Sequence, residues 1–172
     1  GVLLRYGASV AGPVAVSGAH FLASLIFLHQ LPVREFGFFS FVMVSLSLGL
    51  SLNISLIVLP LTRSLARGDT IAVPTCLQMN WIVCTGFAAC VLAALLAGGA
   101  PLQDASLLAL FAGLFTFRCF ARAVAFAEGR ASAAIRSDLT YSLVLTGSLG
   151  LLAVCGALSF ARGSGVLLLA AI

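Results

Sequence analysis

Long apolar stretches without charge alternate with short breaks marked by polar residues, glycine or proline, and that alternation predicts the elements. Residues 6 to 33, 36 to 62 and 70 to 103 contain no Asp, Glu, Lys or Arg. The first stretch places span one at Ala8 to His29, between Arg5 and Arg34, and the second places span two at Phe38 to Leu61. Within the third, Pro74 lies early and Gly98-Gly99-Ala100-Pro101 late, which sets span three at Leu77 to Ala97. Asp104 is read as the N-cap of span four, starting at Ala105. Only thirteen residues then separate Asp104 from Arg118, about 20 Å of helix, so Arg118 falls short of the far interface. The segment from Arg118 to Asp138 reads as the most charged connection, and span five as Leu139 to Phe160. Arg162 and Gly163 interrupt the chain before Val166 to Ile172, the start of a sixth span.

Side-chain spacing gives these spans faces. Gly7, Ala11, Ala15, Ala19 and Ala23 recur every fourth residue on span one, a ridge of small side chains suited to close helix contact. Beside it runs a polar stripe of Ser9, Pro13, Ser17, His20 and Ser24, and Pro13 removes a backbone hydrogen bond within the span. On span two Ser40, Ser47, Ser51 and Ser55 share a face, with Asn53 offset; interhelical hydrogen bonds or a water-filled cavity would use them. Gly147, Gly150 and Gly156 are expected close-approach points on span five.

Composition sharpens the class. The chain is 62% hydrophobic and 8% charged, with a mean hydropathy of +1.19, whereas soluble domains run to about a quarter charged residues. With no water in the bilayer core, spanning backbone must satisfy its own hydrogen bonds, and stretches of about 20 apolar residues do so as helices. The expected fold is all-α: a polytopic transmembrane helix bundle of five complete spans plus the start of a sixth. All nine basic residues are Arg. With the N-terminus inside, seven lie on the cytoplasmic side (Arg5, Arg63, Arg67, Arg118, Arg122, Arg130, Arg136) and two, Arg34 and Arg162, on the other, so the more basic loops vote for that orientation. The absence of an initial Met and an end within an apolar run point to a fragment, a single transmembrane domain of a longer protein.

Five cysteines without CxxC spacing read as small hydrophobes, and neither a metal, a cofactor nor a disulfide framework is expected. No catalytic constellation, phosphate-cradling glycine loop or pair of membrane-level carboxylates stands out, so an enzyme is not expected; Asp104 and Asp138 are assigned to helix ends as caps. The candidate substrate-binding residues are His20, Asn53, Arg118, Ser17, Ser24 and Ser51. His20 sits mid-span, where an ionisable side chain either bonds a neighbouring helix or lines a cavity. Arg118 either extends to the headgroups or holds a diphosphate through bidentate hydrogen bonds, whereas Arg122, one turn nearer the interface, is expected to extend to the headgroups. Arg34 and Glu35 are expected to cap spans one and two or to form an outer gate.

The run Leu31-Pro32-Val33-Arg34-Glu35-Phe36-Gly37-Phe38-Phe39-Ser40 between span one and a serine-rich span two resembles the first connection of Wzx-type polysaccharide flippases. These belong to the multidrug/oligosaccharidyl-lipid/polysaccharide exporter superfamily, where this connection commonly reads Leu, Pro or Gly, two variable residues, Glu, aromatic, Gly, two aromatics, then Ser or Ala. The matching residues here are Leu31, Pro32, Glu35, Phe36, Gly37, Phe38, Phe39 and Ser40. The basic segment Arg118 to Asp138 is similar to the family's cytoplasmic connection between spans four and five. The resemblance implies the N-terminal six-helix lobe of a two-lobe transporter in the cell inner membrane. It would move an undecaprenyl-diphosphate-linked oligosaccharide between leaflets, with the bilayer, that lipid-linked glycan and the second lobe as partners and no nucleic acid. Alternatives are a drug/cation antiporter of the same superfamily, an integral-membrane glycan polymerase or acyltransferase, and a membrane scaffold.

Overall fold

The structure is a computed structural model that describes residues 2–67 and 72–172, without the side chains of residues 2–9, Ala66 and Ala72. The side chains of Arg5, Gly7 and Ser9, and all of Asp69, therefore lie outside the described residues.

The described residues form six helices, five of them long and apolar enough to cross a membrane. They are α1 (Val2–Gln30), α2 (Val33–Asn53, running on through Ile54–Val58 and Leu59–Ala66), α3 (Ala72–Ala97), α4 (Leu102–Ala127), α5 (Ala131–Val154) and the shorter α6 (Phe160–Ala171). The chain is thus an all-α multi-pass membrane protein. Residues Leu31 and Pro32 alone join α1 to α2, because Pro32 cannot extend the first helix and its fixed φ of −56° starts the second.

Glycine sets the next breaks. Gly99 has φ +78°, and behind it the Ala100 amide donates to the Leu95 carbonyl at 3.0 Å, a C-terminal cap that a residue with a Cβ adopts only at a cost. The same arrangement ends α4 at Gly129 and α5 at Gly156. Within α2, Pro60 lacks an amide hydrogen and its ring crowds the carbonyl four residues earlier. The widened π-helical segment Ile54–Val58 lies over that position and lets the helix run on to Ala66.

α4 is the hub. Of its apolar window 39% is buried, against 22% to 28% for the other spans, and it packs against α2, α3 and α6. Its buried side is Ala105, Leu108, Ala109, Phe111, Ala112, Phe115, Thr116 and Phe120, spaced as one broad helical face. α1 packs chiefly on α5 and runs parallel to it: Gln30 Nε2 reaches the Ala153 carbonyl (3.4 Å) near one end, and Gly12 lies beside Asp138 near the other. α1 and α2 touch mainly at their connection, where the Phe27 and Phe39 rings meet edge to face at 4.6 Å.

Several expected positions shift. Span five begins at Ala131 and ends at Val154, eight residues earlier than its predicted start. The supposed charged connection shrinks to Glu128, Gly129 and Arg130, where Arg130 pairs with Glu128, while Arg118 and Arg122 lie within α4 and Arg136 and Asp138 within α5. Asp104 is not a cap; Pro101 precedes the helix and Asp104 sits in its first turn. Arg162 and Gly163 do not interrupt a helix but belong to the first turn of α6, capped by Ser159, whose Oγ accepts from the Arg162 amide (3.4 Å). A Cβ on Gly147, Gly150 or Gly156 would meet nothing within 4 Å, so these are not close-approach points among the described residues. Within the helices, the close glycines are Gly12 against Asp138, Gly49 against the Phe87 ring, Gly113 against Ala88 and Gly163 against the Phe27 ring.

The ridge of small residues on α1 holds only in its second half. Ala19 and Ala23 are buried, but Ala11 is exposed and Gly12 takes the buried place. A strict four-residue spacing advances about 40° beyond a full turn at each step, so a long ridge rotates off the contact.

Candidate functional site

Between α1 and α2, beyond their Phe27–Phe39 contact, the two helices form opposite walls of a cleft of about 220 Å³ with α4 as its floor. Pro13, Val16, Ser17 and His20 line it from α1, Met43, Leu46, Ser47 and Leu50 from α2, and Phe115, Arg118, Cys119 and Arg122 from α4. The four α4 positions follow at three, four and seven residues, one helical face. A second hollow of about 340 Å³ continues along the same helices past Asn53, Ile54 and Val58 to Ala123 and Phe126, toward the end that holds Arg63 and Arg130.

The chemistry of the cleft centres on Asp138. This carboxylate lies two turns inside α5, is 1% exposed, and faces two guanidiniums from α4. Arg118 Nη2 donates to Oδ1 at 2.8 Å, and Arg122 Nε lies 3.1 Å from Oδ2 as an ion pair without hydrogen-bond alignment. Buried charge is stable where it is paired, and this cluster keeps one positive charge in excess. Gly12 makes room for it, since the α1 backbone passes so close that a Cβ there would lie 3.2 Å from both Cβ and Cγ of Asp138.

A second polar pair supports the first. His20 Nε2 is 2.6 Å from the Tyr141 hydroxyl, and the same Tyr141 ring lies under the Arg118 guanidinium at 4.5 Å. Phe115 stacks against both rings, at 5.1 Å from His20 and 5.5 Å from Tyr141. α1, α4 and α5 therefore hold Arg118 by an ion pair on one side and an aromatic face on the other.

Of the residues singled out in the sequence, Ser17, His20 and Arg118 come together in the cleft. Asn53 borders the neighbouring hollow, but its side-chain amide donates to Asn80 Oδ1 of α3 at 2.5 Å in a fully buried pair. Ser24 and Ser51 do not line the cleft; each hydroxyl donates to the carbonyl four residues earlier in its own helix, His20 (2.8 Å) and Ser47 (2.9 Å). Sequence reasoning missed Tyr141, read Asp138 as a cap, and sent Arg122 to the headgroups although it turns to Asp138, whereas Ser47 of the serine face on span two does line the cleft. The missed signal is the four-residue spacing of two arginines inside an apolar helix, which calls for a buried anion on a neighbour.

At the connection end, Arg34 Nη2 donates to the Gly99 carbonyl at 3.0 Å and its guanidinium lies 5.6 Å from the Phe38 ring centre. It therefore caps α3 rather than α1 or α2, and ties two connections of the same end together. Among the described residues no three His, Cys, Asp or Glu side chains group as metal ligands, and all five cysteines are free thiols. No family model, no curated protein and no solved structure matches this chain.

Proposed function

We propose that the chain is the N-terminal lobe of an inner-membrane transporter that flips an undecaprenyl-diphosphate-linked oligosaccharide for cell-surface polysaccharide export. One observation carries the reading: a cleft between candidate spanning helices with a net positive pair of arginines on its floor and hydroxyl and imidazole groups on its walls. A guanidinium matches phosphate oxygens in geometry and charge, and Ser17, Ser47 and His20 offer hydrogen bonds to sugar hydroxyls. The cleft continues toward the more basic end, which the arginine count assigns to the cytoplasm, where such a glycan would load. The apolar outer faces of α1 and α2 suit a lipid tail left in the bilayer. The resemblance of Leu31 to Ser40 to Wzx-type flippases agrees with this, and the second lobe would supply the facing wall. The work is transport without bond breaking, so no enzyme activity and no cofactor is proposed.

A drug/cation antiporter has one observation in its favour, the buried carboxylate of Asp138. Both oxygens of that carboxylate face guanidiniums, so the site repels rather than attracts a second cation. The test is complementation of a strain lacking the complete gene, with export of surface glycan and accumulation of its lipid-linked precursor as readouts. Arg118→Gln combined with Arg122→Gln is expected to abolish export when compared at matched membrane levels of the protein, and His20→Ala to reduce it. Normal export by the double arginine variant refutes the proposal.

A further inference from the structure

We propose that Asp138 is a resident stand-in for the ligand: it occupies a phosphate seat built by Arg118 and Arg122, and an incoming phosphate or diphosphate group takes its place. This rests on the reading of the cleft as an anion site and adds how that site is held when empty.

Two like charges stand one helical turn apart on α4. Arg118 is 12% exposed and Arg122 27% exposed, so neither guanidinium is fully bathed by water, and each raises the cost of the other. An anion between them removes that cost. Asp138 supplies it from a different helix, with Oδ1 toward Arg118 and Oδ2 toward Arg122. The two oxygens of a carboxylate imitate two oxygens of a phosphate, the groups arginine forks bind best.

The imitation is incomplete. Arg122 Nε and Asp138 Oδ2 are both buried and both lack a hydrogen bond, although they lie 3.1 Å apart. A short, tethered carboxylate aligned on Arg118 is not aligned on Arg122. A phosphate, with more oxygens and no tether, fills both alignments at once. The seat borders the cleft through Arg118, Arg122 and Asp138 together, so an exchange takes a sideways shift of the carboxylate into the cleft. At Gly12 the α1 backbone lies directly against the carboxylate, so the shift leads away from α1 and toward the cleft.

The experiment measures binding of inorganic pyrophosphate and of farnesyl diphosphate to the purified full-length protein in detergent, by isothermal titration calorimetry. Asp138→Asn removes the competitor and is expected to tighten binding about tenfold, the equivalent of one charge-assisted contact. Gly12→Ala keeps the charge but crowds the carboxylate off its place, and is expected to act in the same direction if Asp138→Asn does not fold. Arg118→Gln and Arg122→Gln are each expected to weaken binding at least tenfold. Equal binding of the two probes assigns the seat to a free phosphate group, and preference for farnesyl diphosphate assigns it to a lipid headgroup; either supports the seat. Unchanged or weaker binding in both Asp138→Asn and Gly12→Ala, with the arginine variants still impaired, overturns the competition and leaves the anion cleft intact. Absence of binding in every form, wild type included, overturns both.

Discussion

Asp138→Asn is the perturbation that reaches furthest into this architecture. The amide is nearly isosteric with the carboxylate, so packing changes little, while two guanidiniums lose their shared counter-charge. Removing one partner of a fully buried ion pair costs about 3–5 kcal/mol, chiefly through the charge left behind. Arg118 and Arg122 are 12% and 27% exposed, which places this site near or below the lower end, at about 2–3 kcal/mol. For a chain of this size each kcal/mol moves the melting temperature by about 2–4 °C, so a fall of about 8 °C is expected. The assay is thermal unfolding in detergent followed by fluorescence of Trp81, the single tryptophan, whose ring lies 4.8 Å from Phe117 beside Arg118. The decisive form is a double-mutant cycle with Arg118→Gln. Because the double variant buries one unpaired guanidinium rather than two, it should be more stable than the sum of the single losses predicts, by about 1 kcal/mol or more. A melting temperature for Asp138→Asn within 1 °C of wild type, or an additive cycle, refutes the reasoning.

Two further outcomes check the packing away from the cleft. Asn53→Ala leaves the buried Asn80 Oδ1 with only the weak Cys84 thiol donor at 3.7 Å and is expected to cost about 1–3 kcal/mol, whereas replacing both asparagines by Leu is expected to recover most of that loss in the same unfolding assay. Gly49→Ala, with its Cβ 2.7 Å from the Phe87 ring, is expected to destabilise by about 1–3 kcal/mol, while Gly147→Ala, which meets nothing, is expected to be neutral or to stabilise by up to about 1 kcal/mol.

The number of spans and the connections at Leu31-Pro32 and Gly98 to Pro101 were legible because lipid imposes length and apolarity on every crossing segment, and proline and glycine mark the ends. The polar stripe of Ser17 and His20, and Arg118 as the odd charge in an apolar helix, were legible for the same reason: a lipid-facing surface has no use for them. Asp138 was not. Charges close together in sequence read as a loop when they are counted, but here only Glu128, Gly129 and Arg130 join the helices, while Arg118, Arg122 and Asp138 pair across two of them. Such pairing is tertiary information, since either arginine alone reads as reaching for the headgroups. Gly147 and Gly150 failed for a related reason. Spacing places small residues on a face of a helix but does not say which face meets a neighbour, and that face was taken by Tyr141, Leu145 and Leu149 instead.

The bridge between α4 and α5 also bears on how the chain enters the bilayer. An arginine at the centre of a lone spanning helix carries an insertion penalty of about 2.5–3.5 kcal/mol, and α4 meets part of that penalty at each of Arg118 and Arg122, both in its last three turns. The acid that answers them arrives 20 residues after Arg118, on the far side of a three-residue turn. Released singly, α4 would meet lipid with both charges bare; released as a hairpin with α5, it enters with one of them already cancelled. The pair of α4 and α5 is therefore expected to insert more readily than α4 alone.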